Sequence, residues 1–211
     1  SRADAADDRP APPWRVRVCE VSGPVLVGLA GRKRSGKSTV AYRLATAHGY
    51  CRIGFADPLK AILLDVNPRL ESGMGLREYV ARVGWEEAKD ERPEVRRLLQ
   101  DLGTAVREHV GVDTWVNAAM LRVRRARERG WDTVVTDVRY PNEAAAIRAA
   151  GGMVCWVGRP SLPGDDDPHP SETSLTTVDC DKFIVNRGSL DDLWTIADNL
   201  AATLDRYDLV G

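Results

Sequence analysis

The residues Gly31-Arg32-Lys33-Arg34-Ser35-Gly36-Lys37-Ser38 have the types and spacing of a phosphate cradle: a glycine, four residues, then Gly-Lys-Ser. Gly31 and Gly36 let the backbone turn tightly, so that its N–H groups, that of Ser35 among them, approach phosphate oxygens. Lys37 adds a mobile charge for the outer phosphates, and the Ser38 hydroxyl is an oxygen ligand suited to magnesium. A helix opening near Gly36 and running through Thr39 adds the positive end of its dipole. Basic charge is concentrated here, in Arg32, Lys33, Arg34 and Lys37. The pattern points to binding of nucleotide phosphates and leaves open whether the chain is a kinase, a switch or a motor.

Other chemistry-bearing residues lie downstream. Asp132 to Asp137 reads as a strand ending in an acid, placed to hold magnesium through water at the carboxyl end of a sheet. Arg139 follows at once, and the alternative is that this Asp and Arg pair with each other in a loop. Glu94 to His109 reads as a helix with an apolar face of Val95, Leu98, Leu99, Leu102 and Val106. Arg96, Gln100, Thr104 and Arg107 recur on an adjoining face without an acid in the row. Two arginines suit bidentate phosphate binding and an amide suits a base edge; a solvated face is the alternative. Asp57 reads as a helix cap, Pro58 as its first residue, and Lys60 as a cation where the helix dipole disfavours one. Arg159 stands before residues 161–177, a stretch with no period, rich in proline and carrying Asp165-Asp166-Asp167. A lid over phosphates, with Arg159 neutralising transferring charge, is the expectation.

Positioning these groups requires strands and helices in alternation. The apolar run Val25 to Ala30 precedes the loop, and Val40, Ala41, Leu44 and Ala45 recur at helical spacing after it. Further strands are read at Cys51–Phe55, Asp132–Asp137, Gly152–Val157 and Lys182–Val185, and helices from Asp57, Leu76–Val83, Glu94–His109, Asp113–Arg129, Pro141–Ala150 and after Ser189. Asp113 or Thr114 is read as a cap, Gly130 as a terminator, and Ser189 with Asp192 as a capping box. Residues 85–89 fit no period. Five strands alternating with helices make an α/β fold, a doubly wound parallel sheet with helices on both faces. Its 211 residues suit one domain, 23–211, after a loose tail, 1–22, in which Trp14, Val16 and Val18 could add an edge strand. Two segments, about 65–112 and about 159–177, exceed what connections need and read as an acceptor-binding insertion and a lid. A net charge of −1 offers no global attraction to nucleic acid or membrane. Arg122, Arg124, Arg125, Arg127 and Arg129 are read as a solvated face. The four cysteines form no CxxC pair, which suits a reducing cytoplasm without a zinc site.

Taken together, the chain resembles the bacteriophage deoxynucleoside monophosphate kinases, P-loop enzymes. The likeness rests on Lys33 to Lys37, Ala56-Asp57-Pro58-Leu59-Lys60, Arg96 to Thr104, Trp115-Val116, Asp137-Val138-Arg139 with Glu143, Arg159-Pro160, His169 to Glu172, and Asn186 to Ser189. The resemblance implies transfer of the γ-phosphoryl of ATP to a deoxynucleoside monophosphate, with Mg2+, in nucleotide supply for phage DNA synthesis in a host cytoplasm. It implies that Lys60, Arg96, Gln100, Arg139 and Glu143 surround the acceptor, with Lys33, Asp57, Arg107, Trp115, Asp137 and Glu172 beside them. Lys33, Arg34, Asn186 and Gly188 would border the ATP, under a lid carried by Arg159. Lys37, Asp137, Arg139 and Arg159 would carry the catalysis, with Ser38 and Asp137 toward the metal. ATP and a deoxynucleoside monophosphate are the expected partners, not a polymeric nucleic acid or a membrane, and a homodimer is left open. The rivals are another small-molecule kinase, such as a dephospho-coenzyme A kinase, and a non-catalytic ATP-binding module. A GTP switch would carry an Asn-Lys-x-Asp run, which the sequence lacks.

Overall fold

The computed structural model describes residues 23–160 and 174–208, the side chains of 205–208 excepted. The expected tail with its edge strand, the middle of the expected lid, and His169 to Glu172 lie outside the described residues.

The strands are β1 (Leu26–Ala30), β2 (Cys51–Ile53), β3 (Thr133–Val138), β4 (Met153–Gly158) and β5 (Lys182–Val185). They form one sheet in the order β2-β3-β1-β4-β5, with every pairing parallel. β1 lies at the centre and every residue of it is buried, as expected of a parallel strand covered on both faces. Removing Val27 and Leu29 entirely from water stabilises the strand by about 1.5–3 kcal/mol each. The loop at its carboxyl end therefore springs from a fixed point.

One face is covered by α1 (Lys37–His48) and the last described helix, α8 (Leu190–Asp208). Val40, Ala41 and Leu44 pack there with Leu193, Ala197, Leu200 and Leu204. The two helices are also tied by Asp198, which accepts from Arg43 at 2.8 and 2.9 Å and faces His48 at 2.8 Å. The other face is covered by α6 (Thr114–Glu128) and α7 (Pro141–Ala149), through Val116, Ala119, Val123, Ala144 and Ile147. Ser189 and Asp192 form the expected capping box at the start of α8: the Ser189 N–H donates to Asp192 at 2.8 Å and the Asp192 N–H to Ser189 Oγ at 3.3 Å.

Four helices separate β2 from α6: α2 (Asp57–Val66), α3 (Leu76–Val83), α4 (Trp85–Glu91) and α5 (Pro93–His109). They share a core of their own, built on Leu63, Leu70, Leu76, Tyr79, Ala88 and Val95. Residues 85–89, without a sequence period, belong to α4, which is too short to establish one. On α5 only Val95 is fully buried; Leu98, Leu99 and Leu102 are half-buried, and Leu99 lines a cavity as well as packing on the core.

Two expected caps differ from their reading. Asp57 lies inside α2, and its carboxylate turns back to accept from the Gly54 N–H at 2.8 Å. Asp113 stands at the expected N-cap position of α6, its carbonyl accepting from the Asn117 N–H at 2.8 Å, but its carboxylate accepts from the Asn142 amide at 2.7 Å and Thr114 donates to the Gly111 carbonyl at 2.8 Å, so neither side chain caps the helix. The arginine row on α6 is exposed at Arg122, Arg124, Arg125 and Arg129, but Arg127 is half-buried and donates to the Pro24 and Ala150 carbonyls. No helix among the described residues is long and apolar enough to cross a membrane.

Candidate active site

The phosphate loop joins β1 to α1. Gly31 has φ +131° and Gly36 φ +108°, conformations open to glycine. A Cβ on Gly31 would stand 2.2 Å from the Val157 carbonyl oxygen, so β4 passes too close for any side chain. Lys37 Nζ donates to the Gly31 and Arg32 carbonyls at 2.6 Å each, which folds the ammonium over the loop. The loop is held from the far side by Asn186, buried at the end of β5, whose amide donates to the Ser35 carbonyl at 3.0 Å.

Two cavities meet at this loop. One, of about 330 Å³, is lined by Arg34, Ser35, Gly36, Lys37, Ser38 and Thr39, then by Arg159, Asn186, Gly188, Ser189, Leu190 and Leu193. All the residues expected at ATP line it except Gly31 and Lys33. The second, of about 270 Å³, lies under α4 and α5. Lys60, Arg96, Gln100, Arg107, Trp115, Asp137, Arg139 and Glu143 line it as expected, and Lys33 does so as well. Arg34, Lys37 and Ser38 belong to both cavities, so their junction lies at the lysine and serine of the motif. The whole stripe Arg96, Gln100, Thr104 and Arg107 faces the second cavity rather than solvent. Asp57 stands outside both: it closes the Gly54 turn and faces Arg122 at 3.4 Å. Glu172 lies outside the described residues.

Several lining residues were not singled out as site residues in the sequence: Arg52, Phe55, Leu59, Glu86, Lys89, Thr136 and Tyr140. The Glu86–Lys89 spacing, one helical turn apart, would have flagged an ion pair but not a place at a cavity. Nine cationic side chains and three carboxylates line the second cavity, which makes it an anion site. Two of the carboxylates serve the main chain. Asp137 accepts from the N–H groups of Phe55 at 2.7 Å and Ala56 at 3.0 Å, joining β3 to the loop before α2. Glu143 is buried and accepts from the N–H groups of Arg139 at 2.7 Å and Tyr140 at 3.0 Å. Burial, with Asp137 nearby, pushes the Glu143 carboxyl up to about 7, against the lowering effect of those two N–H groups and of Arg107. Arg107 stacks over the Tyr140 ring at 3.8 Å, and its buried Nη1 has no hydrogen-bond partner among the described residues. A buried guanidinium nitrogen left in that state at a cavity wall is suited to an incoming acceptor group.

Asp90, on α4, holds the two sides of the junction together. Its carboxylate meets Lys33 at 2.6 Å and Arg34 at 3.4 Å from the phosphate loop, and Arg96 at 3.5 Å from α5. Hydrogen bonding from Lys33 holds its carboxyl below the usual range.

A glycine-rich loop between a central parallel strand and its helix, opening on two hollows of which one is lined mainly by cations, is the arrangement of a P-loop kinase. Comparison with known proteins narrows the class. The family model for deoxynucleotide monophosphate kinase matches residues 77–196, from α3 into α8. A protein of Acanthamoeba polyphaga mimivirus that carries the same family name is 29% identical over 191 residues, covering 81% of this chain and 93% of its own. The deoxynucleotide monophosphate kinase of Enterobacteria phage T4 is 35% identical over 112 residues, 52% of this chain and 46% of its own. Among solved structures, a dephospho-CoA kinase from Campylobacter jejuni aligns at a TM-score of 0.48 and 13% identity, covering 86% of this chain and 97% of its own. The chain belongs to the deoxynucleotide monophosphate kinase family.

Proposed function

We propose that the protein transfers the γ-phosphoryl group of ATP to a deoxynucleoside 5′-monophosphate, with ATP in the cavity bordered by Asn186 and Gly188 and the acceptor in the cavity under α4 and α5. The observation that carries this reading is the junction itself: Arg34, Lys37 and Ser38 line both hollows. A γ-phosphoryl group held there would have the donor on one side and the acceptor phosphate on the other, the arrangement that in-line displacement needs.

An oxygen of the acceptor phosphate attacks the γ-phosphorus, the bond to the β–γ bridging oxygen breaks, and ADP leaves with that electron pair. The nucleophile is already an anion, so no side chain has to remove a proton. Lys37 and Arg139 neutralise charge on the transferring group from the loop and from the end of β3. Arg159, exposed at the donor cavity, would add a further cation for the phosphates. Gln100 and Thr104 offer paired donor and acceptor groups to a base, and Trp115, fixed by its indole N–H on the Gly103 carbonyl at 3.1 Å, offers a wall.

The donor atoms of Ser38, at the junction, and of Asp137, on the wall of the second cavity, are of a kind that fits magnesium. The Ser38 hydroxyl and the Asp137 carboxylate are hard oxygen ligands, and each Asp137 oxygen keeps a lone pair beyond the one given to the main chain. An ion carried in on nucleotide phosphates would keep several water ligands beside these two. Bound there, magnesium would supply charge neutralisation at the β- and γ-phosphates. The viral and phage relatives support a place in nucleotide supply for DNA synthesis in a host cytoplasm.

The test is a set of initial rates of ADP formation from ATP with each of the four common deoxynucleoside monophosphates, one ribonucleotide and dephospho-coenzyme A. Turnover of at least one deoxynucleotide is expected. Lys37→Ala and Arg139→Ala should each lose about 10²- to 10³-fold in kcat, the scale of removing one charge-stabilising donor. No turnover of any deoxynucleotide by folded wild-type protein overturns the reading.

A further inference from the structure

Helix α4 brings one further cation to the acceptor cavity. Lys89 lines the cavity with its side chain only 18% exposed, and its Nζ donates to Glu86 Oε1 at 2.7 Å, one helical turn earlier. Burial first, and then the charges of Lys60 and Arg139, hold its ammonium below the usual lysine value. An ammonium withdrawn from water among like charges calls for an anion. Glu86 provides only part of one, because its own side chain is 76% exposed and water screens the pair. The other two cavity carboxylates have fixed main-chain partners; Glu86 faces Lys89. A second observation fixes α4 against the phosphate loop: the residue after Lys89 is Asp90, which grips Lys33, Arg34 and Arg96.

We infer that Lys89 is a ligand of the acceptor phosphate: the 5′-phosphate of the bound deoxynucleotide takes Lys89 from Glu86 and holds it jointly with Lys60 and Arg139. The inference rests on the assignment of this cavity to the deoxynucleotide. A phosphate monoester carries about −1.5 to −2 charge at neutral pH and offers three strong acceptor oxygens, against a single charge on Glu86. With three cations converging, the exchange favours phosphate. While the cavity is empty, Glu86 keeps Lys89 from repelling Lys60 and Arg139. The pair also distinguishes a monophosphate from a nucleoside, which carries nothing to displace Glu86.

Full-length Lys89→Met, Lys89→Arg and Glu86→Gln proteins test this, by steady-state kinetics with ATP and the deoxynucleoside monophosphate that the wild type uses best. Lys89→Met should raise the KM for the monophosphate about 10- to 100-fold, the scale of one hydrogen bond to a charged group, with the KM for ATP within about twofold of wild type. Lys89→Arg should recover most of that loss. Glu86→Gln, which removes the competitor and keeps the fold of the turn, should lower the KM for the monophosphate. A merely structural ion pair behaves otherwise: Glu86→Gln and Lys89→Met would both lower the melting temperature and leave the KM for the monophosphate unchanged. That result overturns the inference, as does a raised KM in Glu86→Gln, which stays readable even if Lys89→Met does not fold. A wild type that phosphorylates no deoxynucleotide overturns the cavity assignment itself, whatever Lys89 does.

Discussion

Replacing Glu143 by glutamine should make the protein's stability less sensitive to pH, in a direction set by burial. In the folded chain the Glu143 carboxyl is pushed from 4.5 up to about 7, chiefly by desolvation, although it accepts two main-chain N–H groups. A raised folded-state value favours the protonated form on folding, so the stability it contributes is complete below about pH 4.5 and is lost as the pH rises through about 7. The span from 4.5 to about 7, at 1.36 kcal/mol per pH unit, gives about 3 kcal/mol. For a chain of this length that corresponds to roughly 6–12 °C in melting temperature. The substituted side chain would still accept the Arg139 and Tyr140 N–H groups through its amide oxygen, and it has no proton to lose. Melting curves of wild type and Glu143→Gln, recorded between pH 4.5 and 8 without nucleotide and with chelator, should therefore separate. The wild type loses about that much relative to the variant as the pH rises. Parallel curves across the range would refute the reasoning, because other titrating groups are common to both proteins and cancel in the difference.

Two further outcomes are expected. Gly31→Ala should abolish ATP binding measured by calorimetry and lower the melting temperature, since the new Cβ would meet the Val157 carbonyl oxygen at 2.2 Å and neither strand can yield. Arg107→Met should raise the KM for the monophosphate about tenfold or more with little change in that for ATP, because the orphaned Nη1 lies on the acceptor side; an unchanged KM would make Arg107 only a support for the Tyr140 ring.

The parts of the fold that announce themselves in the sequence are those with local rules. The strand, loop and helix around Gly31 to Leu44 follow from glycine positions and apolar period, and α3 and β5 have the expected limits. The strand order does not follow from any local rule, since nothing in β1 names β3 and β4 as its neighbours. On α5 the acid-free row Arg96, Gln100, Thr104 and Arg107 pointed at a ligand before its surroundings were known, and it does face the cavity. Lys89 and Asp90 were invisible for the opposite reason: α4 is a seven-residue helix rich in charge, and its meaning comes from what lies beneath it. Asp57 shows the limit of pattern matching. It stands in a motif shared with Lys60, yet its carboxylate closes a turn outside both cavities.

The crowding of cations in one hollow has a consequence for diffusion. Its lining is strongly positive in a chain whose formal total is −1. Small anions approaching at random are drawn toward that hollow, and added salt weakens the pull.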